Sequence, residues 1–218
     1  MFGPALAIAQ RKLAEGLQVL GLAPEPGKVA RLLEFLALLA KWNRTYNLTA
    51  IDDPLEMVSR HLLDSLSIAP YLTGQRILDV GSGGGLPGIP LAIWFPEREF
   101  HLLDSNGKKV RFLFQARLAL ELTNVTVHQA RAESLRDARG FDCITSRAFA
   151  GLADMVRVSG HLLAPGGCLL AMKAGLGEDE LAGVTTPYTI ASRIRLEVPG
   201  IPAERQLLKI TRQGTAAQ

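Results

Sequence analysis

The chain has 218 residues, of which 48% are hydrophobic and 21% are charged, so it can bury a full core without a disulfide or a metal. The formal net charge of +3 favours a polyanionic partner over a membrane surface. No apolar run reaches the roughly 18 residues of a membrane span, and the N-terminus lacks the pattern of an export signal, so we expect a cytoplasmic protein.

The first third of the chain, from Pro4 to about Pro70, has a helical pattern. Apolar residues at alternating steps of three and four predict an amphipathic helix that faces a core. These residues are Leu32, Phe35, Leu39, Trp42 and Tyr46. We therefore interpret Trp42 and Tyr46 as core residues rather than as a surface on which bases stack.

A second helix has a recognisable start, with Asp53 as N-cap, Pro54 at the first helical position and Glu56 at the capping-box position. It is predicted to run through Val58, Leu62 and Leu66 and to end before Pro70.

After Gly74, short apolar runs alternate with helical segments. The runs are 76–80, 99–105, 124–130, 141–149 and 167–174. They predict parallel strands that are buried on both faces of a sheet covered by helices. Cys143 and Cys168 lie inside two of these runs and are interpreted as buried reduced thiols rather than a disulfide.

The last two apolar segments, 188–198 and 203–212, are joined by a Pro-Gly-Ile-Pro turn that leaves no room for a helix. They predict a C-terminal antiparallel hairpin on a mostly parallel sheet. The predicted organisation is thus a helical extension over residues 1–73 and an α/β domain over residues 74–218, packed as one unit.

The stretch Leu-Asp-Val-Gly-Ser-Gly-Gly-Gly-Leu-Pro-Gly-Ile-Pro, residues 78–90, follows the first strand of this sheet. We predict positive φ angles at Gly81 and Gly83, where the absence of Cβ lets a ligand approach the main chain. The next helix, starting near Leu86, is predicted to direct its free N–H groups at the same space. A dinucleotide or S-adenosylmethionine would suit such a site.

Two patterns compete in this loop. A Gly-x-Gly-x-x-Gly spacing at Gly83, Gly85 and Gly88 fits a dinucleotide, and Asp104 about 20 residues later suits a ribose hydroxyl with either cofactor. The earlier Asp79 and Gly81, the proline at the helix start and the closing hairpin favour the methyl donor. A dinucleotide-dependent oxidoreductase remains the alternative enzyme.

Other strand ends supply further candidates. Ala132 and Glu133 follow the third strand, where a backbone amide and a carboxylate would read an adenine edge, although Glu133 would equally cap a helix. Arg147 ends the fourth strand and would hold the donor's carboxylate or an RNA phosphate, unless it is an ordinary surface arginine. Asp104 has the similar alternative of a solvated strand end.

The fourth strand end also bears on the methyl acceptor. Ser146, Arg147, Ala148 and Phe149 match neither the Asn/Asp-Pro-Pro-aromatic segment of amino methylation nor the cysteine nucleophile of carbon-5 methylation. Guanine N7 fits better, because its in-plane lone pair loses no proton on attack and needs positioning rather than a general base. The base gains positive charge, so a cation as close as Arg147 creates a tension.

Six segments together closely resemble the glucose-inhibited division protein B family, the bacterial guanine-N7 methyltransferases of small-subunit ribosomal RNA. They are 41–49, 60–65, 78–93, 102–113, 146–149 and 204–208. The resemblance implies a class I, Rossmann-like methyltransferase fold with S-adenosylmethionine as donor and S-adenosylhomocysteine as product. It also implies a partner that is 16S ribosomal RNA or an assembling small subunit, and we expect a monomer with no metal.

Carried over residue by residue, the family's cofactor positions fall on Gly81, Leu86, Ala132, Glu133 and Arg147. Matched motif positions that would face RNA, without a catalytic role assigned to any of them, are Asn43, Arg60, His61, Lys173 and Arg205. This sequence departs from the family at Gln206, where histidine is common, and at Ala174, where glycine is usual.

Basic residues beside these motifs leave a choice between phosphate contact and a solvated helix face. They are Lys41, Arg44, Lys108, Lys109 and Arg111. His61, a lone histidine on a helix, is more often structural than catalytic. A non-enzymatic RNA-binding module is the second alternative, against which the glycines, Asp104 and Arg147 argue.

Overall fold

The computed structural model describes residues 5–147, 149 and 151–213; Pro4 and Ala148, which the sequence predictions include, lie outside them. The helices are α1 (Ala5–Val19), α2 (Pro26–Tyr46), α3 (Pro54–Met57), α4 (Asp64–Leu66), α5 (Gly88–Trp94), α6 (Gly107–Ala119), α7 (Leu152–Ser159) and α8 (Glu178–Ala182). The strands are β1 (Arg76–Val80), β2 (Glu99–Asp104), β3 (Val125–Gln129), β4 (Phe141–Arg147), β5 (Leu163–Lys173), β6 (Tyr188–Leu196) and β7 (Arg205–Arg212).

These strands form one sheet in the order β3-β2-β1-β4-β5-β7-β6. The pairs among β1 to β5 are parallel, whereas β7 runs antiparallel to both β5 and β6. The predicted α/β class, with a parallel sheet and a closing antiparallel hairpin, is confirmed. Because β7 lies between β5 and β6, its first residue, Arg205, stands at the edge where the parallel strands end.

Two strands differ from their predictions. β5 starts at Leu163 rather than at residue 167, and its first part includes the exposed residues Pro165 and Gly166. β3 is not buried on both faces, since Val125 is buried while Thr126 and Gln129 are exposed. It is the first strand in the order, so it pairs with β2 alone, and its polar residues face solvent as is typical of a strand at a sheet edge.

Large apolar side chains cover both faces of the sheet. Ile77 on β1 belongs to a cluster with Leu36 of α2 and Phe112 of α6, whereas its neighbour Leu78 belongs to a cluster with Met155 of α7. Consecutive strand residues point to opposite faces, so one strand supplies both cores. Each fully buried side chain of this size stabilises the fold by roughly 1.5–3 kcal/mol relative to an exposed one.

The helical region follows its predicted signals with one exception. Leu32, Phe35 and Leu39 are fully buried, and Trp42 stacks on Tyr46 with ring centroids 5.1 Å apart. The Asp53 side chain accepts a hydrogen bond from the Glu56 N–H at 2.7 Å, as predicted for the N-cap.

The exception is a π-helical turn, Val58–Leu63, which separates α3 from α4. A π turn inserts an extra residue into the helical repeat, and such turns are frequent at functional sites.

The last connection of the sheet packs against the helical region. The turn between β6 and β7, residues 197–204, contacts the π turn, because a Cβ on Gly200 would lie 2.5 Å from the Ser59 hydroxyl.

Cys143 and Cys168 face each other on β4 and β5 and are free thiols, as predicted. Among the described helices, none has the length and apolar character needed to cross a bilayer.

Candidate ligand-binding site

The glycine-rich loop leaves β1 at the edge of the sheet where the parallel strands end. Gly81, Gly83 and Gly85 have φ angles of 72°, 57° and 79°, which confirms the predicted left-handed conformation at the first two. The N–H groups of Gly81 and Ser82 both donate to the Leu103 carbonyl, at 2.8 and 3.1 Å, so the loop is tied to the end of β2. Its conformation is therefore set before any ligand arrives.

A buried carboxylate supports this loop from below. Asp79 is 1% exposed, and its Oδ2 accepts a hydrogen bond from the Gly88 N–H at 3.0 Å. Desolvation raises the pKa of Asp79 to about 7. α5 starts at Gly88, two residues after the predicted start near Leu86. The prediction that its free N–H groups point at a ligand is wrong, because the Gly88 N–H donates to Asp79 and the Ile89 N–H donates to the Gly85 carbonyl.

Beside the loop lies a cavity of about 160 Å³ that we call the glycine-loop cavity. Its lining includes Gly81, Asp104, Ala132, Glu133 and Phe149. A Cβ on Gly81 would meet no atom within 4 Å, so the missing side chain leaves open space. Glu133 does not cap a helix, since it lies within the 3-10 turn Ala132–Ser134, which begins after Arg131.

Asp104 connects the loop to this cavity. Its Oδ2 accepts a hydrogen bond from the Gly83 N–H at 3.0 Å, and its Oδ1 accepts one from the Asn106 N–H at 2.8 Å. Each carboxylate oxygen has a second lone pair, so the group can still accept hydrogen bonds from a ligand. Lys109, from the predicted basic cluster, lies 3.9 Å from Asp104 at the mouth of the loop.

Within residues 79–86, four of the residues assigned to cofactor binding from the sequence do not line this cavity. They are Asp79, Gly83, Gly85 and Leu86. A Cβ on Gly85 would lie 2.5 Å from Ile89, and Leu86 is 5% exposed within the apolar core. These residues shape the loop through packing and hydrogen bonds, so direct ligand contact is not what requires glycine at position 85.

A second cavity, of about 290 Å³, lies at the same edge of the sheet and is called the arginine cavity here. Its polar lining comprises Arg60, His61, Asp64, Arg147, Lys173, Arg205 and Gln206. The volume is near the lower end of the range for small-molecule sites. Arg147 was assigned to the cofactor from the sequence, but it lines this cavity and not the glycine-loop cavity.

Asp64 organises the two most buried guanidinium groups of the arginine cavity. Arg147 donates to its Oδ2 at 3.2 Å, and Arg205 donates to its Oδ1 at 3.2 Å. Arg147 also donates to the Arg60 carbonyl at 2.9 Å. The π turn places Arg60 and Asp64 on the cavity side together, so strands β4 and β7 are joined through the helical region.

His61 is buried beside this ion-pair cluster. Its Nε2 lies 2.9 Å from the Thr49 hydroxyl, while Nδ1 is buried with no hydrogen-bond partner among the described residues. Desolvation lowers the pKa of His61 to about 4, and the positive charge of Arg147 adds to this effect. The imidazole is therefore neutral at physiological pH.

Asn43, which was predicted to face RNA, is buried in the helical region. It is 7% exposed; its Nδ2 donates to Asp52 at 2.9 Å, and its Oδ1 accepts from the Thr49 N–H at 2.8 Å. Both ends of the amide are thus used to hold the loop after α2. That loop in turn presents Thr49 to His61.

Lys173 and Phe149 lie where the two cavities meet. Lys173 lines the arginine cavity and pairs with Glu180 at 2.5 Å, and its Nζ donates to the Phe149 carbonyl at 2.7 Å. Phe149 lines the glycine-loop cavity, so one hydrogen bond joins the two walls. Gln206 is 3% exposed and donates to Glu204 at 2.8 Å.

Sequence reasoning missed Asp64, although the segment Arg60-His-Leu-Leu-Asp-Ser65 was singled out. The available signal was a lone carboxylate within an apolar helical stretch, since an acid on a buried face needs a cationic partner. Phe149 belongs to the motif segment 146–149, but the sequence assigns no ligand contact to it.

Comparison with known proteins places this geometry in context. The family model described as GidB, rRNA small subunit methyltransferase G, matches residues 28–208. The ribosomal RNA small subunit methyltransferase G of Nitrosococcus oceani is 52% identical over 94% of this chain and 95% of its own length. The protein of the same name from Shewanella amazonensis is 45% identical over 92% of this chain and 98% of its own length.

Solved structures resemble the fold. A glycopeptide N-methyltransferase, MtfA, complexed with S-adenosylmethionine has a TM-score of 0.60 at 11% identity, covering 71% of this chain and 88% of its own. TrmN from Thermus thermophilus has a TM-score of 0.54 at 21% identity, covering 78% of this chain and 53% of its own. At these identities the likeness concerns the fold alone.

Proposed function

The chain belongs to the GidB family, rRNA small subunit methyltransferase G, and on that premise we propose that it methylates N7 of a guanine in 16S ribosomal RNA with S-adenosylmethionine as donor. The observation that carries the proposal is the pair of adjoining cavities at one edge of the sheet. One is open to the main chain at Gly81 and is lined by Asp104 and Glu133, and the other is lined by three arginines and a lysine.

The residues of the glycine-loop cavity fit the donor. The space beside Gly81 would be filled by any Cβ, which is the arrangement that a ligand held against the main chain requires. We assign Asp104 to the ribose hydroxyls, and the Ala132 N–H with Glu133 to the adenine. When bound, the donor supplies a methyl group on a positively charged sulfur.

The arginine cavity fits the RNA acceptor. Arg60, Arg147, Lys173 and Arg205 are cations suited to phosphate oxygens. The lone pair of guanine N7 would form the new bond to the methyl carbon while the carbon–sulfur bond breaks and leaves its electron pair on sulfur. N7 releases no proton, so the chain needs to orient the base in line and to exclude water rather than to supply a general base.

Two experiments test this function. Purified protein is incubated with small-subunit RNA, or with assembling subunits, and donor labelled in its methyl group, and the product is cleaved at 7-methylguanine. We expect one labelled guanine; label on another atom, or no label on either substrate, would refute the proposal. Calorimetric titration with S-adenosylmethionine and with NAD should give binding only for the first, which separates the methyltransferase from a dinucleotide-dependent oxidoreductase.

A further inference from the structure

The charge balance of the arginine cavity depends on Asp64. This side chain is 4% exposed and shares its two oxygens between Arg147 and Arg205, so the three groups together carry one positive charge. Among the described lining residues, Asp64 is the single acid. The remaining cations are paired with carboxylates outside the lining, Arg60 with Glu56 at 2.8 Å and Lys173 with Glu180 at 2.5 Å.

The imidazole of His61, which also lines this cavity, adds no positive charge to it. His61 has its pKa lowered to about 4 by burial and by Arg147, so it adds no charge at pH 7. The cavity therefore has enough positive charge to attract one phosphodiester, while the guanidinium groups remain largely compensated.

We infer that Asp64 is a positioning residue whose carboxylate holds Arg147 and Arg205 and compensates their charge, so that positive charge can move onto the base during methyl transfer. This inference rests on the proposed function. In that reaction the charge leaves the sulfur, beside the glycine-loop cavity, and arrives on the purine in the arginine cavity. Asp64 lines the arginine cavity and not the glycine-loop cavity, so its negative charge favours the direction of this movement.

A purely structural role makes a different prediction. If Asp64 only anchors β7 to the π turn, its loss should weaken stability and RNA binding together. If it sets the charge of the cavity, its loss leaves two uncompensated guanidinium groups, which still attract phosphate but oppose charge on the base. The turnover number and the RNA affinity should then separate.

The test uses Asp64→Asn, which keeps the shape of the side chain and removes its charge. We expect kcat to fall about tenfold or more. The Kd for RNA in the absence of donor should not rise, and the slope of log affinity against log salt concentration should steepen by about one. The donor Kd, measured by calorimetry, should change less than about threefold. Unchanged kcat, or RNA binding that weakens together with stability, would overturn the inference.

Three other variants keep the inference testable if Asp64→Asn does not fold. Asp64→Glu retains the charge and should keep most of kcat. Arg205→Gln makes the cavity less positive, so the KM for RNA should rise while kcat holds. In the double variant Asp64→Asn/Arg205→Gln the net charge returns to its original value, and kcat should approach that of the unmodified protein. A fall in kcat for Arg205→Gln equal to its rise in KM would contradict the charge account.

The matched control is Asp137→Asn at the opposite end of the sheet. Asp137 pairs with Arg76 at 2.9 Å, so this variant also breaks a partly buried carboxylate–guanidinium pair but leaves both cavities intact. It should lose stability and keep kcat. If the unmodified protein forms no 7-methylguanine, the proposed function fails; if it does and Asp64→Asn turns over equally fast, the inference alone fails.

Discussion

The open space beside Gly81, in the proposed donor site, leads to a quantitative prediction. In Gly81→Ala the new methyl group meets no protein atom within 4 Å, but the residue must keep a φ of 72°. That conformation costs roughly 1–2 kcal/mol for a residue with a Cβ, which lowers Tm by about 2–8 °C in a chain of this size. The methyl group would occupy space assigned to the donor, at a cost of roughly 1–3 kcal/mol, so the donor Kd should rise about 5- to 150-fold.

A second glycine provides the control. Gly166 lies in the exposed first part of β5 and has a φ of 78°, and a Cβ added to it would likewise meet no atom within 4 Å. Gly166→Ala should therefore show the same loss of Tm with an unchanged donor Kd. Calorimetry with S-adenosylmethionine and thermal unfolding measure both quantities. Equal donor affinity in the two variants would refute the placement of the donor against Gly81.

Three further predictions concern buried polar groups. Burial raises the pKa of Asp79 to about 7, so the contribution of this group to stability is lost as pH rises from about 4 to 7. Over that range the unfolding free energy of Asp79→Asn, measured with urea, should rise by on the order of 4 kcal/mol relative to that of the unmodified protein. An equal difference between the two proteins at pH 4 and pH 8 would contradict this. Burial lowers the pKa of His61 to about 4, so the unfolded chain binds the extra proton and stability is lost as pH falls from about 6.5 to 4. Over that range His61→Gln should lose about 3 kcal/mol less unfolding free energy than the unmodified protein. Parallel curves of unfolding free energy against pH for the two proteins would refute the assignment. Asn43→Ala removes two hydrogen bonds and should cost about 1–3 kcal/mol in urea unfolding without changing the Kd for RNA, whereas a weaker RNA complex at full stability would restore the role predicted from the sequence.

Most strands were predictable because each contains a short apolar run bounded by turn residues. The run 76–80 coincides with β1, and the hairpin followed from the lack of room for a helix between its segments. The positive φ angles at Gly81 and Gly83 followed from local spacing as well. Such features depend on neighbours within a few residues, which a sequence displays directly.

Features that depend on distant packing were not predictable in this way. The π turn changes which residues of the segment 58–63 share a face, and no local signal marks the inserted residue. Asn43 resembles a surface residue until its partners Asp52 and Thr49 are known. Similarly, a glycine motif does not say which glycine faces a ligand, and Gly85 faces Ile89 instead.

Because β7 runs antiparallel to β5, the arginine cavity is lined in part by residues that lie far along the chain from strands β1 to β3. β1 to β3 end beside the glycine-loop cavity, whereas the turn 197–204 joins Leu196 to Arg205, both of which line the arginine cavity. This turn also packs against the π turn at Ser59, so a change in its length would bear directly on the arginine cavity. Under the proposed function, acceptor choice would depend on a surface connection that lies far along the chain from the glycine-rich loop.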